Sequence, residues 1–95
     1  MNEVDDSILE FFNSQGDQVS LPPTAVWYNL AEIFEVTDKS RDTVARRMRG
    51  LDKAGLLEKV DEQRGYYRIT DKGGAYLSGD IDAEDLEREK EGESD

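Results

Sequence analysis

The fold is decided by the stretch Ser40–Thr70, which reads SRDTVARRMRGLDKAGLLEKVDEQRGYYRIT. Its first half carries apolar residues at spacings of four and three, the repeat of a helix with one buried face: Val44, Met48 and Leu51. Ser40 is a favourable N-cap residue, because its hydroxyl accepts an unpaired amide hydrogen of the first turn. Gly55 suits the left-handed position that ends a helix. The pattern therefore predicts a helix over residues 40–54.

The second half of this stretch predicts a β-hairpin. Two strand-like runs, Leu56–Val60 and Tyr66–Thr70, are separated by the short polar loop Asp61–Gly65, which ends in glycine. Because side chains alternate between the two faces of a strand, Tyr67 and Ile69 are expected together on the inner face of the hairpin.

The chain before Ser40 predicts two more helices and a short strand. Asp5 or Asp6 is placed to cap the first helix. Val19–Leu21 suits a short strand, and Pro22-Pro23 ends it, because proline fits the start of a helix and not its middle. The expected apolar stripes are Ile8, Leu9 and Phe12 in the first helix, and Val26, Trp27, Leu30, Ile33 and Phe34 in the second.

The chain after the hairpin predicts one more helix and an acidic end. Thr70 is placed to cap that helix, in which Ala75, Tyr76 and Leu77 supply apolar contacts. We predict a winged-helix DNA-binding domain over residues 1–79 and an acidic C-terminal helix or tail over residues 80–95. The fold class is mostly α with a small β-hairpin, in the order of a winged helix-turn-helix.

Residues 40–53 also carry a polar face, opposite the apolar stripe, which holds Asp42, Arg46, Arg49 and Lys53. In a winged helix the third helix lies in the major groove of DNA, and the hairpin, called the wing, touches the backbone or the minor groove. Arginine suits this role because its planar fork grips guanine or phosphate at two points. The residues that we predict to contact DNA are Ser40, Arg41, Asp42, Thr43, Arg46, Arg47, Arg49 and Lys53 in the helix, and Arg64 in the wing.

Two basic residues have a structural alternative. The alternative for Arg47 is an ion pair with Asp42 or Glu58 instead of a contact with DNA, and the alternative for Arg68 is an ion pair on the face of a strand. More generally, basic residues on an exposed helix often serve only as its solvated face. The distribution of charge along the whole chain helps to decide between that and a binding role.

The positive charges are concentrated in one segment. All but two of the 12 Lys and Arg lie between Lys39 and Lys72, where the net charge is +4, against −8 for residues 1–38 and −7 for residues 73–95. A basic strip on a protein of net charge −11 fits a polyanionic partner. The dispersed acids favour a host with a salt-rich cytoplasm, and the alternative is that an acidic tail alone inflates the count.

The composition excludes several functional classes. The chain has neither cysteine nor histidine, which removes disulfides, thiolate metal sites, the usual near-neutral general base and most transition-metal ligands. We therefore predict no enzyme activity, no cofactor, no metal and no small-molecule ligand. No apolar run approaches the length of a membrane span and no signal peptide is visible, so a cytoplasmic protein is expected.

Three segments resemble those of known regulators. Residues 40–60 look like winged-helix transcriptional regulators in general, of the MarR-like kind. LPPTAVWYNL at residues 21–30 and YYRITDKGGAYLSGDIDA at residues 66–83 are more specific, and resemble the small repressor-like proteins of haloarchaea grouped with the repressor of phage phi-H. The similarity covers residues 4–86. It implies a dimeric, sequence-specific DNA-binding regulator in a high-salt archaeal cytoplasm, with Ser40, Arg41, Thr43, Arg46 and Arg47 in the recognition helix and Arg64 at the wing tip.

Together these observations predict a double-stranded DNA-binding transcriptional regulator, acting as a repressor, that reads the major groove with helix 40–54 and contacts the backbone or minor groove with wing 59–68. The alternative is a winged helix that serves as a protein–protein interaction module in a transcription or replication assembly, because an acidic protein is repelled by DNA at long range. We also predict a homodimer, since a lone winged helix reads few base pairs. Its candidate interface residues are Phe11, Phe12, Tyr76, Leu77, Ile81 and Leu86.

Overall fold

The computed structural model describes residues 2–16 and 19–80, which form four α-helices and one β-hairpin. The helices are α1 (Glu3–Gln15), α2 (Pro23–Tyr28), α3 (Arg41–Lys53) and α4 (Asp71–Leu77), and a π-helical turn (Asn29–Ile33) continues α2. The antiparallel hairpin consists of β1 (Leu57–Asp61) and β2 (Tyr66–Ile69) and lies between α3 and α4 in the chain. This order is that of a winged helix, so the predicted fold class is confirmed.

The first helix begins earlier than predicted. Asn2 is its N-cap: the Asn2 side chain accepts the amide hydrogen of Asp5 at 2.9 Å, and the Asp5 carboxylate accepts that of Asn2 at 3.2 Å. This reciprocal pair is a capping box, in which the acid belongs one turn inside the helix. The prediction that Asp5 or Asp6 caps the helix was therefore wrong, although the predicted apolar stripe of Ile8, Leu9 and Phe12 is fully buried.

The second helix changes its winding before it ends. The amide of Phe34 donates to the carbonyl of Asn29, five residues back, at 2.9 Å. A turn that holds one extra residue rotates the following side chains around the helix axis. Ile33 and Phe34 therefore leave the apolar stripe and are 55% and 54% exposed, whereas Leu30 stays buried as predicted. The prediction that Ile33 and Phe34 face the core was wrong for this reason.

The hairpin has a third, very short neighbour. Leu57 pairs with Ile69 and Lys59 with Tyr67, and a bulge follows between Lys59 and Asp61. On the other side of β2, Leu21 and Tyr67 exchange two backbone hydrogen bonds, of 2.8 and 3.0 Å. The strand predicted at Val19–Leu21 is thus reduced to one bridging residue. Tyr67 and Ile69 are buried as the alternation predicted.

One apolar cluster joins all these elements. Helix α1 lies against α3 and α4, α2 lies against α3, and β1 lies against the end of α3. The cluster consists of Val4, Ile8, Leu9, Phe11, Phe12, Val26, Leu30, Val44, Met48, Leu51, Leu56, Leu57, Tyr67 and Ile69. Thr70 caps α4, as predicted, by accepting the amide hydrogen of Gly73 at 3.1 Å. The acidic segment predicted for residues 80–95 lies outside the described residues except for Asp80.

Candidate nucleic-acid interface

Helix α3 is fixed in one orientation by its apolar stripe and its cap. Val44 and Met48 have no exposed surface and Leu51 is 2% exposed, so one side of the helix is sealed against α1 and α2. The hydroxyl of Ser40 accepts the amide hydrogen of Thr43 at 3.2 Å, and the backbone of Ser40 is extended, as an N-cap requires. The predicted cap and stripe are both confirmed. The opposite side of the helix is consequently turned outward.

The outward side of α3 presents basic residues without partners. Arg41, Arg46, Arg49 and Lys53 are all exposed. Within residues 2–16 and 19–80, none of these four forms an ion pair or a side-chain hydrogen bond. Guanidinium and ammonium groups that make no internal contact keep their donors available for an external acceptor. The sequence placed Arg46, Arg49 and Lys53 on this surface and Arg41 at the edge of the apolar stripe, and all four are exposed on the one helix.

The first turn of α3 combines a polar cap with an aromatic neighbour. The hydroxyl groups of Ser40 and Thr43 are hydrogen-bonded to each other at 3.1 Å, and Asp42 is exposed. The indole Nε1 of Trp27 donates to the carbonyl of Lys39 at 3.1 Å and so ties α2 to the residue before the cap. An open groove of about 210 Å³ lies here, between Trp27 and the residues Ser40, Arg41 and Asp42. The helix start is thereby held in place by a side chain from another element.

Arg47 differs from the other basic residues of α3, because it is bound inside the protein. Its Nε donates to Oδ1 of Asp5 at 2.8 Å and its Nη2 donates to Oδ2 at 2.5 Å, which makes a two-point contact between α3 and α1. The Asp5 side chain is fully buried, whereas that of Arg47 is 36% exposed. The hydrogen bond to Asp5 raises the pKa of Arg47, partly opposed by burial. The partners suggested from the sequence, Asp42 and Glu58, were wrong, because the actual partner comes from 42 residues away in the chain.

The wing holds its own basic residues close to acids. Arg68 donates to Glu58 across the strands at 3.0 Å, which confirms the predicted strand-face ion pair. In the loop, Oδ1 of Asp61 accepts the amide hydrogens of Gln63 and Arg64, each at 3.0 Å. The guanidinium of Arg64 is 3.9 Å from Asp61 and its side chain is 74% exposed. Arg64 therefore projects from the wing tip, while Asp61 shapes the turn.

The comparisons with known proteins agree with this geometry. A family model described as winged helix-turn-helix phage repressor matches residues 1–89. The chain belongs to this phage repressor family. A solved structure, the PhiH1 repressor-like protein from Haloarcula marismortui, is similar to this chain with a TM-score of 0.69 and 34% identity, covering 87% of this chain and 83% of that one. No curated protein matches the sequence of this chain.

Membership of the phage repressor family supports a DNA-binding regulator at the level of the family. The individual contact residues and the repressor role stay predictions for this chain. In the described segments 2–16 and 19–80, no helix combines the length and apolar character that crossing a membrane requires.

Two groups of residues in this phage repressor family member differ from what the sequence predicted. The sequence did not predict Asp5 as the partner of Arg47. It also did not predict the capping box, although an acid three residues after Asn2 fits that pattern. Among the predicted dimer contacts, Phe11 and Phe12 are buried in the core, and Tyr76 and Leu77 pack partly against it. Phe11 and Phe12 are therefore not available to a second copy. Ile81 and Leu86 lie outside the described residues.

Proposed function

We propose that the protein is a sequence-specific, double-stranded DNA-binding transcriptional regulator that acts as a repressor. In this proposal α3 enters the major groove, and the wing, residues 59–68, contacts the backbone or the minor groove. The backbone amides just after Ser40, in the first turn of α3, lie near a phosphate, and the hydroxyls of Ser40 and Thr43 lie beside them. Arg46, Arg49 and Lys53 reach base edges and phosphates from the outward side.

One observation carries this proposal: α3 exposes four basic side chains that form no ion pair in the described part of the chain, although Asp42 lies on the same helix. An acidic protein that folds so as to leave these charges uncompensated keeps one surface suited to a polyanion. The alternative, a protein–protein interaction module, predicts basic residues compensated by neighbouring acids. Ion pairs with acids occur in the wing, at Arg68 and Arg64, and at Arg47, whereas none of the four exposed basic residues of α3 forms one within the described residues.

Replacing Arg41 and Arg46 together by Ala should weaken binding to duplex DNA by about 100-fold, since each contact is worth about 1–3 kcal/mol. The probe is a duplex selected by the wild-type protein from a random pool in high potassium chloride, and the measurement is a mobility-shift titration. Arg46→Lys is the matched variant, because it keeps the charge and loses the two-point fork. If Arg46 reads a base, Arg46→Lys will relax specificity at one position. Unchanged affinity of the double variant would refute the assignment of α3.

We also propose that the regulator is a homodimer, through an apolar surface formed by Ile33, Phe34 and Val36. These three side chains are 53–55% exposed on the π-helical turn and the segment after it. The ring of Phe34 lies 6.0 Å from that of the buried Phe11, so the surface is continuous with the core. Glu32 and Glu35 flank it and are exposed. Two copies meeting here bring acids together, which high salt tolerates because it screens their repulsion.

The homodimer predicts that replacing Ile33 and Val36 by Ser shifts the protein to monomer in a sedimentation run at micromolar concentration and molar potassium chloride. Val60→Ser is the control, because Val60 is also exposed but lies on the wing. Monomeric wild-type protein under these conditions would contradict the dimer itself. If the Ile33 and Val36 variant stays dimeric, as the Val60→Ser control does, the interface lies elsewhere on the chain.

We further infer a cytoplasmic setting of high ionic strength, on two grounds. The net charge of −11 includes acids on α1 and around the π-helical turn, not only in the C-terminal segment. The similar solved structure is that of a protein from Haloarcula marismortui. Dispersed acids keep a protein hydrated and soluble in concentrated salt.

A further inference from the structure

A glycine in helix α3 has no explanation in the contacts of residues 2–16 and 19–80. Gly50 lies in the interior of α3, where glycine is less favourable than alanine because it loses more backbone freedom on folding. Its backbone does not take the positive φ that requires glycine, unlike Gly55 at +82° and Gly65 at +70°. A Cβ atom added at Gly50 would meet nothing within 4 Å. Neither backbone conformation nor packing within the described residues accounts for it.

The helical glycines of α4 provide the comparison. At Gly73 an added Cβ would lie 2.4 Å from the carbonyl oxygen of Leu56 and 2.7 Å from Cγ1 of Ile69, so close packing of α4 on the hairpin explains that glycine. Gly74, the next residue, resembles Gly50 in having nothing within 4 Å of an added Cβ. Gly74 lies on a different helix, without the basic surface of α3.

The surroundings of Gly50 indicate what approaches it. Residues three and four apart are neighbours on a helix surface, so Arg46 and Arg47 lie one turn before Gly50 and Lys53 lies one turn after it. Helical side chains lean towards the N-terminus, and a side chain at position 50 would cover the turn near Arg46 and Arg47. Its absence leaves bare helix backbone bordered by the charges of Arg46 and Lys53, whereas the charge of Arg47 is paired with Asp5. A second copy of this chain that presented the same helix face here would be repelled, whereas the phosphates of a polyanion fit.

We propose that Gly50 is the point of closest approach between α3 and DNA, where the sugar–phosphate backbone passes directly against the helix. This inference rests on the proposed DNA-binding function and names the contact that sets the depth of α3 in the groove. A methyl group at this point would hold the DNA off by roughly 1 Å. Hydrogen bonds from Arg46 and Lys53 need donor–acceptor distances of about 2.7–3.2 Å, so that displacement would break several of them together.

The test compares Gly50→Ala with Gly74→Ala in the full chain, using melting temperature and titration of the duplex selected by the wild type. Both substitutions should raise the melting temperature by about 4 °C, because alanine favours the helix and neither Cβ meets another atom. Only Gly50→Ala should weaken DNA binding, by about tenfold, and Gly50→Leu should weaken it further while the fold remains stable.

Each other outcome overturns the inference in a distinguishable way. If Gly50→Ala lowers the melting temperature, the glycine serves the fold. If Gly74→Ala weakens binding equally, helix stiffness and not close approach is responsible. If Gly50→Ala changes the sedimentation of the protein without DNA, a protein contact lies there. If wild type binds its duplex and Gly50→Ala binds it equally well, this inference alone fails, whereas a wild type that selects no duplex removes the proposed function as well.

Discussion

The substitution Arg47→Ala should lower the free energy of unfolding by about 2–3 kcal/mol, because it leaves the carboxylate of Asp5 buried without its charge partner. The Asp5 side chain is fully buried, and each of its two carboxylate oxygens accepts a hydrogen bond from the guanidinium of Arg47. This loss is smaller than the roughly 3–5 kcal/mol of a broken, fully buried pair, since the side chain of Arg47 is itself 36% exposed. Denaturant unfolding in molar potassium chloride measures the difference.

The matched control for this prediction is Arg46→Ala, which removes the same group from the adjacent position of α3. Arg46 is exposed and has no ion pair within the described residues, so its loss should change the free energy of unfolding by less than about 0.5 kcal/mol. Asp5→Ala and the double variant complete a cycle that isolates the pair. Equal stability of the Arg46→Ala and Arg47→Ala proteins would contradict a stabilising role for the pair.

The pH dependence of this contribution follows from the direction of the pKa shift. Arg47 gains a hydrogen bond to Asp5, and its pKa is raised above the ordinary value of arginine. A group with a raised pKa in the folded state stabilises the fold at every pH below its unfolded pKa, and the contribution is lost only as the pH rises through the folded pKa. The difference attributable to Arg47 should therefore not vary between neutral and mildly alkaline pH.

Helix α3 and the hairpin could be predicted because their signals are local. Ser40 caps α3, Val44 and Met48 face the core, and the polar loop ending at Gly65 separates two alternating strands. Each of these features depends on residues within one turn or one strand pair. The outward position of Arg46 then follows from the buried stripe, because a helix that seals one face must expose the other.

The features that could not be predicted depend on long-range contacts or on backbone detail. The partner of Arg47 lies 42 residues away, and several acids were equally plausible from the sequence. The π-helical turn inserts one residue after Tyr28 without any marker in the composition, and it changes the faces of Ile33 and Phe34. As a consequence, the surface proposed for dimerisation moved from Phe11 and Phe12 to Ile33 and Phe34, which the sequence assigned to the core, together with Val36.

DNA binding should depend weakly on salt, and the wing should be the reason. Five exposed basic residues are proposed to reach DNA: Arg41, Arg46, Arg49, Lys53 and Arg64. If each neutralised one phosphate, the slope of log affinity against log salt would be about −4.5, a loss of more than about 10⁴-fold for a tenfold rise in salt. In a salt-rich cytoplasm such a protein would not occupy its site. An opposing uptake of cations is therefore expected on binding.

The wing acids are the expected site of that cation uptake, and the structure separates their roles. Asp61 accepts the amide hydrogens of Gln63 and Arg64 and builds the turn, whereas Glu62 is exposed and makes no such contact. Glu62 is therefore the residue able to share a cation with a phosphate.

Glu62→Gln should make the slope of log affinity against log salt steeper by about one unit, because one cation fewer is taken up. Asp61→Asn, which retains an oxygen acceptor for the turn, should change the slope much less than Glu62→Gln, because Asp61 is engaged in the turn. Glu10→Gln, the same charge change on α1, is the control and should leave the slope unaltered. Titrations from moderate to molar potassium chloride measure all four proteins, and parallel, steeply falling lines would rule out cation bridging at the wing.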